Sequence, residues 1–566
     1  MYTVFIKKFC GYIMVEKKVS FRQMAEFFIE NCNKENIIST VFDYLGLDCS
    51  VRPFLKSETF DYLLKEFACT YSVSTLSNII DLIQQAKKLS QAKDKELLDT
   101  VKNYLDEHLT DEMDIDAIAR HLHVSYYYLL HFFKQHTGQS LNKYRTIKRL
   151  QKAISLLLNT DDKITDVATS CGFNNVSYFS ETFVKHVGFT PTEFKAKYSD
   201  LIIHPFYTFD DILLAMKMDS VRFLDKNCKS KKVNFNVCHV HKPSKEYGYF
   251  LHESAIIEFK GVLYASWYNC SDSELMGYTP IRERRSYDGG KTWSEPTTIA
   301  EDKSGKILFC PPVYAVSDNK LYMFVNQMVS ADYMHAIDLY VLDESTDKFV
   351  KLWSRPIPFK LNTNAVKLPN GKLLLPGRVG KLDGFPDVPA VMISDSGKVD
   401  GEWRVVKVAP DKFLPDNSDL IYPETTVICH NDVLYLFNRN DTRGVPLVYI
   451  SKDFGETWSK VYSHDIPYVS SKTYSGKLSD GRYYLICNTD THDRTKLSLF
   501  ISDKEQLKFT KRIDLFNLDF EDVLECHYPS ATESDGKLFI IATAGYGKEN
   551  DKQRGAILFT LNLSEL

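Results

Sequence analysis

Apolar residues recur at three- and four-residue spacing through "LLDTVKNYLDEHL", "IDAIARHLHV", "YYYLLHFFKQHTG" and "YRTIKRLQKAISLLL", which predicts amphipathic helices from residue 96 to about 198. From about residue 246 the pattern changes to short apolar runs punctuated by Gly, Asn and Asp, which predicts strands joined by tight turns. Between them "RFLDKNCKSKKVNFNVCHVHKPSKEYG" is polar and lysine-rich and reads as a linker, residues 201–245. Residues 1–95 contain the amphipathic stretches "FRQMAEFFIENCNKENIISTVFDYL" and "TLSNIIDLIQQAKKL" and read as a mostly helical region for dimerisation or packing. The expected division is therefore 1–95, 96–200, 201–245 and 246–566, with a homodimer among the expected partners.

The second half repeats itself. A turn followed by an apolar strand occurs six times, with aligned positions Leu263, Leu321, Leu373, Leu434, Tyr483 and Leu538 spaced 49–61 residues apart. A sheet of four short strands needs about 40–50 residues and cannot bury both faces alone, whereas copies arranged radially can. A β-sandwich would not produce that period. The expected fold class is multidomain α + β: an all-α double helix-turn-helix domain followed by an all-β six-bladed propeller. Inside the period, "SYDGGKTW" at 286–293 returns as "SKDFGETW" at 451–458. Asp288 and Asp453 can accept from turn N–H groups, Gly290 and Gly455 permit the tight backbone, and Trp293 and Trp458 can anchor the hairpin. Their expected role is to clasp hairpins rather than to do chemistry. Degenerate copies are expected at 393–403 and 501–509.

In the helical part, residues 115–133 have helix-turn-helix spacing. Small Ala119 lets two helices cross, His123–Val124 forms the turn, and Ser125 can cap the second helix. The pattern recurs at 164–183, with Ala168 and Gly172 in the corresponding places. The long segment "LNKYRTIKRLQKAISLLL" joins them, so two reading helices can enter successive major grooves about 34 Å apart.

Composition narrows the picture. At 566 residues the chain is expected to form about three or four domains. The net charge of −4 carries no global nucleic-acid signal, but from Arg120 to Lys197 eleven basic residues face five acidic ones. Such a local excess neutralises phosphates and makes binding salt-dependent. Twelve cysteines are scattered singly, without a C-x-x-C pair or a His cluster at zinc spacing, so reduced thiols, no metal and no cofactor are expected. No apolar run approaches the roughly 20 residues of a membrane span, and "FCGYIMV" lacks a cleavage site, so a cytoplasmic protein without a membrane partner is expected.

The ordered set F-K-x-x-x-G at Phe133–Gly138, R-L-x-x-A at Arg149–Ala153, G-F at 172–173, S-Y-F at 177–179 and G-F-T-P at 188–191 resembles the DNA-binding domain of AraC-type transcription regulators, over residues 96–198. The resemblance implies double-stranded DNA as partner. It turns Tyr126, Tyr127, Leu130, His131 and Lys134 of the first reading helix outward, and Asn175, Val176, Ser177, Ser180, Glu181 and Lys185 of the second. Leu129, Phe133, Phe179 and Phe183 then face the core. The chain departs from the family at His131 and Glu181, where a basic residue is common, and at His123, where glycine is usual. A glutamate can accept from cytosine N4, and Tyr and Leu can contact thymine methyls.

The repeat and its turn resemble the sialidase-like, Asp-box (BNR) propeller family over 246–566. In that family an arginine trio holds a carboxylate, a Tyr–Glu pair supplies the nucleophile and an aspartate is the acid/base. "YPETTVICHNDVLYLFNRND" places the glutamate at Glu424 and the second arginine at Arg439; "HDRTKLSLFISD" places the third at Arg494; "CHYPSA" places the nucleophile at Tyr528. The first arginine is matched by His252 in "HESAI", and the acid/base position by Asp272 or Glu274 in "CSDSELMGY". Losing a bidentate guanidinium weakens carboxylate binding. The leading expectation is thus an AraC-type transcription regulator whose propeller senses a carbohydrate effector. The alternatives are a sialidase-like glycoside hydrolase tethered or dimerised by its helical part, and a scaffold in which neither module is active.

Overall fold

The computed structural model describes residues 29, 57–70, 72–111, 114–271, 274–275, 277–330, 333–380, 388–468, 470–489, 494–520, 522–546 and 553–566. The amphipathic stretch expected at 21–45 lies almost wholly outside them, as does Asp272. The chain divides into two compact units, 1–192 and 193–566. Among the described residues no helix is long and apolar enough to cross a membrane.

The helical elements are α1 (Ser57–Thr70), α2 (Val73–Glu107), α3 (Ile115–His121), α4 (Tyr126–Thr137), α5 (Leu141–Asn159), α6 (Ile164–Ser170), α7 (Val176–Val187) and α8 (Pro191–Lys197). The break expected at 95/96 falls inside α2, which runs through it unbroken. Side-chain caps set the helix starts. Asp114 accepts from the Asp116 and Ala117 N–H groups at 3.0 and 3.1 Å, Ser125 from Tyr128 at 3.2 Å and Asn175 from Tyr178 at 3.0 Å. Gly138 and Gly188, both left-handed, end α4 and α7. Ala119 and Ala168 are buried where α3–α4 and α6–α7 turn, and Leu129, Phe133, Phe179 and Phe183 are fully buried.

The two turns differ in one respect. Gly172 has φ +80°, and a Cβ there would come within 2.7 Å of Arg149 Nη2 and 2.8 Å of the Thr110 Cα. The matching position of the first turn is His123, also left-handed at φ 54°. A residue with a Cβ pays about 1–2 kcal/mol in that region, partly offset by the greater entropy loss of glycine. His123→Gly is expected to raise the unfolding free energy of the helical unit by about 0.5–1 kcal/mol; an unchanged urea midpoint would refute this account of the turn.

The second unit opens with α9 (Phe209–Ala215), β1 (Ser220–Val221), β2 (Leu224–Ser230) and β3 (Phe235–His241). Four strands follow: β4 (Phe250–Phe259), β5 (Val262–Cys270), β6 (Ile281–Ser286) and β7 (Thr297–Ala300). Next come β8 (Leu308–Ser317), β9 (Lys320–Ser330), β10 (Tyr333–Asp343) and β11 (Lys348–Arg355). The third set is β12 (Phe359–Leu361), β13 (Val366–Lys367), β14 (Leu373–Val379), β15 (Val388–Ser394) and β16 (Arg404–Lys407). The fourth is β17 (Thr425–His430), β18 (Val433–Asn438), β19 (Leu447–Ser451) and β20 (Tyr462–His464). The fifth is β21 (Tyr474–Lys477), β22 (Tyr483–Asn488), β23 (Lys496–Ser502) and β24 (Phe509–Asn517). The last is β25 (Glu525–Ser534), β26 (Lys537–Tyr546) and β27 (Gln553–Asn562).

Within each set consecutive long strands pair antiparallel, and hydrogen bonding groups all of them into five sheets. A single parallel pair, Arg554 with Phe250, joins β27 to β4 in an eight-stranded sheet. The six aligned repeat positions fall on β5, β9, β14, β18, β22 and β26, and all are buried. Neighbouring sets touch as follows: β25 with β4, β4 with β8, β8 with β12, β14 with β17, β17 with β21 and β21 with β25.

The stretch 201–245, expected as a linker, is instead part of this unit. Strand β1 pairs parallel with β20, β2 parallel with β24, and β3 antiparallel with β27. These are outer strands with mostly half-exposed side chains, so their sequences carry little of the apolar signal that marks an inner strand. Asp211 anchors α9 by accepting from Thr208 N–H at 2.7 Å and Gly444 N–H at 2.8 Å.

The repeated turn clasps its hairpin as its residues suggest. Asp288 Oδ1 accepts from the N–H groups of Lys291 and Thr292 at 3.0 and 2.9 Å, and Asp453 Oδ1 accepts from Thr457 N–H at 2.9 Å. Ser286 and Ser451 each accept from the turn glycine N–H at 2.8 Å. In the degenerate copy at 393–403 the aspartate has another use: Asp395 takes Arg404 Nε at 2.7 Å and Lys372 Nζ at 2.6 Å.

Candidate functional site

On α4 and α7 the residues expected to face outward differ in exposure. Tyr127 is 82% exposed, His131 and Lys134 are exposed, and Tyr126 and Leu130 are half-buried. On α7, Val176, Ser177, Glu181 and Lys185 are exposed. Asn175 is exposed but spends its Oδ1 on the helix cap, and half-buried Ser180 donates its hydroxyl to the Val176 carbonyl at 2.9 Å. Tyr178, 60% exposed, belongs to the same surface and was not singled out by the sequence pattern.

Three of the eleven basic residues hold the unit together. Arg149 Nε and Arg145 Nε donate to the Leu109 carbonyl at 2.8 and 3.2 Å, and Lys148 pairs with Asp106 at 2.9 Å. They tie α5 to the end of α2.

In the β unit, strand direction alternates. Positions just before a first strand, just after a second and just before a third therefore lie at one edge of the sheets. Glu424 precedes β17, Arg439 follows β18, Lys472 precedes β21, Arg494 precedes β23, and His252 and Tyr528 lie early in β4 and β25. These residues come together. Arg439 grips Asp441 with Nε and Nη2, both at 2.6 Å, and its Nη1 donates to Glu424 Oε2 at 2.6 Å and to the Tyr528 hydroxyl. Arg494 Cζ, Lys472 Nζ and Arg439 Cζ lie 5.5, 5.7 and 5.8 Å from the Tyr528 ring centroid. The His252 ring is 4.2 Å from that of Tyr528, and His527 is 5.4 Å from it. Glu274 stands one ring away, accepting from the Tyr268 hydroxyl at 3.1 Å.

Sequence reasoning missed Glu253, Arg378, Asp441, Lys472 and His527. Lys472 pairs with Glu253 at 2.8 Å, both buried, and Arg378 Cζ lies 5.8 Å from the Tyr422 ring. Their strand-edge phase within the repeat is the signal that would have found them. Four non-glycine residues here, Glu253, Tyr422, Arg494 and Tyr528, have φ between 49° and 61°. Each such backbone costs on the order of 1–3 kcal/mol.

Charge states follow from burial and neighbours. Burial opposes ionisation of Glu424, but the charges of Arg439, Arg378 and Lys472 outweigh it and hold the carboxyl down at about 2. Burial, aided by the Arg554 charge beside His252 and the Arg494 charge beside His527, pushes both imidazoles well below their ordinary value, so both are neutral at pH 7. The Tyr528 hydroxyl is pushed up, first by burial and then by Glu424, against the opposing charge of Arg439. His252 therefore brings no charge of its own; the further cations around the cluster are Lys472, Arg378 and Arg554. Glu424, Arg439, Lys472 and Tyr528 are buried, whereas Arg494 is half-buried and Tyr422 is 43% exposed. Open cavities of about 420 and 270 Å³ lie elsewhere, one lined by Val427, Asp432 and Lys477, the other by Tyr247, Tyr249 and Arg282.

The sign of the pH dependence follows. The unfolded chain binds protons on both histidines below about pH 6.5 while the folded one does not, so stability falls as pH drops from there. Each group contributes a slope of about 1.4 kcal/mol per pH unit. Glu424 adds a further loss as pH falls from its ordinary range towards about 2. Urea denaturation between pH 7.5 and 5 is expected to show this slope, and His252→Gln to reduce it; a flat profile would contradict the neutral imidazoles.

Helix-turn-helix units and a repeat-built β unit define a two-part protein. Residues 118–197 match the family described as a helix-turn-helix domain, and residues 261–540 match the BNR repeat-like domain. The first is of the AraC type, so the chain fuses an AraC-type helix-turn-helix domain to a BNR repeat-like domain. It is 31% identical over 128 residues to the uncharacterized HTH-type transcriptional regulator YijO of Escherichia coli K12, covering 22% of this chain and 44% of that protein. It is 31% identical over 140 residues to the HTH-type transcriptional activator RhaS of Escherichia fergusonii, 23% and 50% of the two. Over 94 residues it is 37% identical to the arabinose operon regulatory protein of Salmonella typhimurium, 16% and 34%. The chain thus spans half or less of the length of these relatives. Similar solved structures include the Trypanosoma rangeli sialidase in complex with the inhibitor DANA, at 17% identity, 55% of each chain and a TM-score of 0.44. A protein of unknown function from Dyadobacter fermentans has 14% identity, 58% of this chain, 99% of that one and a TM-score of 0.46.

Proposed function

We propose that this protein is a sequence-specific DNA-binding transcription regulator whose β unit, a six-bladed propeller, is its effector sensor. The helix-turn-helix match over 118–197 carries the DNA reading, supported by α4 and α7 presenting their outward residues to solvent. The contacts from each set to the next support the propeller. The cluster around Tyr528 is the proposed effector site. Its buried Arg439 and Lys472 and half-buried Arg494 suit an anionic carbohydrate or related acid, with the aromatic rings packing on its apolar faces. An effector binding one state more tightly than another shifts DNA affinity by that difference. A gel-shift assay on the full chain, with and without sialate, hexuronates and neutral hexoses, tests this; enrichment of no sequence from a randomised duplex pool would sink it.

The hydrolase reading has one observation in its favour: Tyr528, Glu424 and Arg439 meet in a buried triangle. However, Arg439 sits between the other two, and no direct hydrogen bond among the described residues joins Glu424 to the Tyr528 hydroxyl it would have to deprotonate. Turnover of an aryl glycoside, abolished by Tyr528→Phe with binding retained, would establish the hydrolase instead.

A further inference from the structure

The two reading helices carry an unusual surface for a base reader. A recognition helix contacts base edges mainly through its N-terminal residues. The commonest specific contact is Arg or Lys donating to guanine O6 and N7. Neither α4 nor α7 has a lysine or arginine before its last turn: Lys134 and His136 close α4, Lys185 and His186 close α7, and the exposed imidazole of His131 stands in the middle of α4. Exposed in their place are Tyr127 and Tyr178, with Val176 36% exposed and Leu130 half-buried. Two of the polar side chains on α7 are engaged in the helix itself, although the Asn175 amide keeps its N–H donors. Asn175 spends its carbonyl oxygen on the cap, and Ser180 donates to its own helix. The one exposed charge in the middle of α7 is Glu181, an acceptor.

From this we infer that the surface discriminates by thymine methyl groups rather than by guanine, and that Tyr127 and Val176 are its specificity-determining residues. The inference rests on the regulator reading above and names the class of DNA it takes. A thymine C5-methyl offers the only apolar group on a base edge in the major groove, and apolar side chains gain by covering it. Glu181 faces the groove with acceptor oxygens. It repels guanine O6 and N7 and accepts from a cytosine amino group. The operator is therefore rich in thymine at the positions under α4 and α7, with guanine excluded opposite Glu181.

The test uses the full chain and a randomised synthetic duplex pool. Enriched sites are resynthesised with uracil replacing thymine one position at a time, which removes a single methyl and leaves pairing intact. The expected result is a loss of about fourfold in affinity per contacted methyl, the transfer value of one buried carbon. At the position under Tyr127 the loss should vanish in Tyr127→Ala, whose exposed side chain leaves the fold intact. Enriched sites whose uracil versions bind equally well would overturn the thymine reading alone. A pool in which nothing is enriched would overturn the regulator reading and this inference with it.

Discussion

Arg439→Met is expected to lower the unfolding free energy of the β unit by about 3–5 kcal/mol, the scale for removing one partner of a buried ion pair. The guanidinium is 6% exposed and satisfies Glu424, Asp441 and the Tyr528 hydroxyl at once. Without it Glu424 either remains charged in a buried site or takes up a proton, and either state costs stability. Adding Glu424→Gln to the same molecule should recover part of the loss, because a buried amide needs no counter-charge. Urea unfolding of the single and double variants measures both. A single-variant cost below about 1 kcal/mol, in the range of exposed pairs, would mean that water reaches the cluster. The same variant should lose any thermal stabilisation by an anionic sugar.

Phe179→Ala should have a comparable effect in the other unit. Phe179 is fully buried on α7, 5.1 Å from the Phe173 ring and 5.7 Å from the Phe183 ring. Phenylalanine-to-alanine truncations in packed cores cost about 3–5 kcal/mol. α7 is held to its unit through this face, so DNA affinity should fall by more than tenfold while the β unit's own unfolding transition stays where it was. Circular dichroism melting and a gel shift together check this. Retained affinity with a shifted melting curve would show that α7 is held by other contacts.

The helix-turn-helix units were legible because their determinants are local. Small Ala119 and Ala168, the capping Ser125, the turn at Gly172 and aromatic residues at helical spacing all act within a few residues of each other. The repeat was legible for a similar reason: Leu263 and four of its counterparts sit in the second strand of their sets and Leu373 in the third, each behind the same kind of turn. By contrast, 201–245 was misread. β1, β2 and β3 pair with strands whose partners lie 240 to more than 320 residues further along, and their half-exposed sides leave only a weak apolar pattern. No local feature encodes such a pairing.

The site divides the same way. Glu424, Arg439, Arg494 and Tyr528 stand in recognisable motifs, but Lys472, Glu253 and His527 stand in none. They join the cluster because alternating strand direction brings the starts of leading strands to one edge. The charge of a side chain is likewise not a property of its residue type alone: His252 stays neutral below about pH 6.5 only because it is buried beside Arg554. Sequence by itself determined the helices, the six-fold recurrence and the clasping turns, since short-range periodicity and backbone preference suffice for those. Tertiary structure alone decided which outer strands complete the sheets, which cations are structural staples and which groups meet at Tyr528. Those outcomes depend on long-range pairing and on desolvation, and neither exists until the chain is folded.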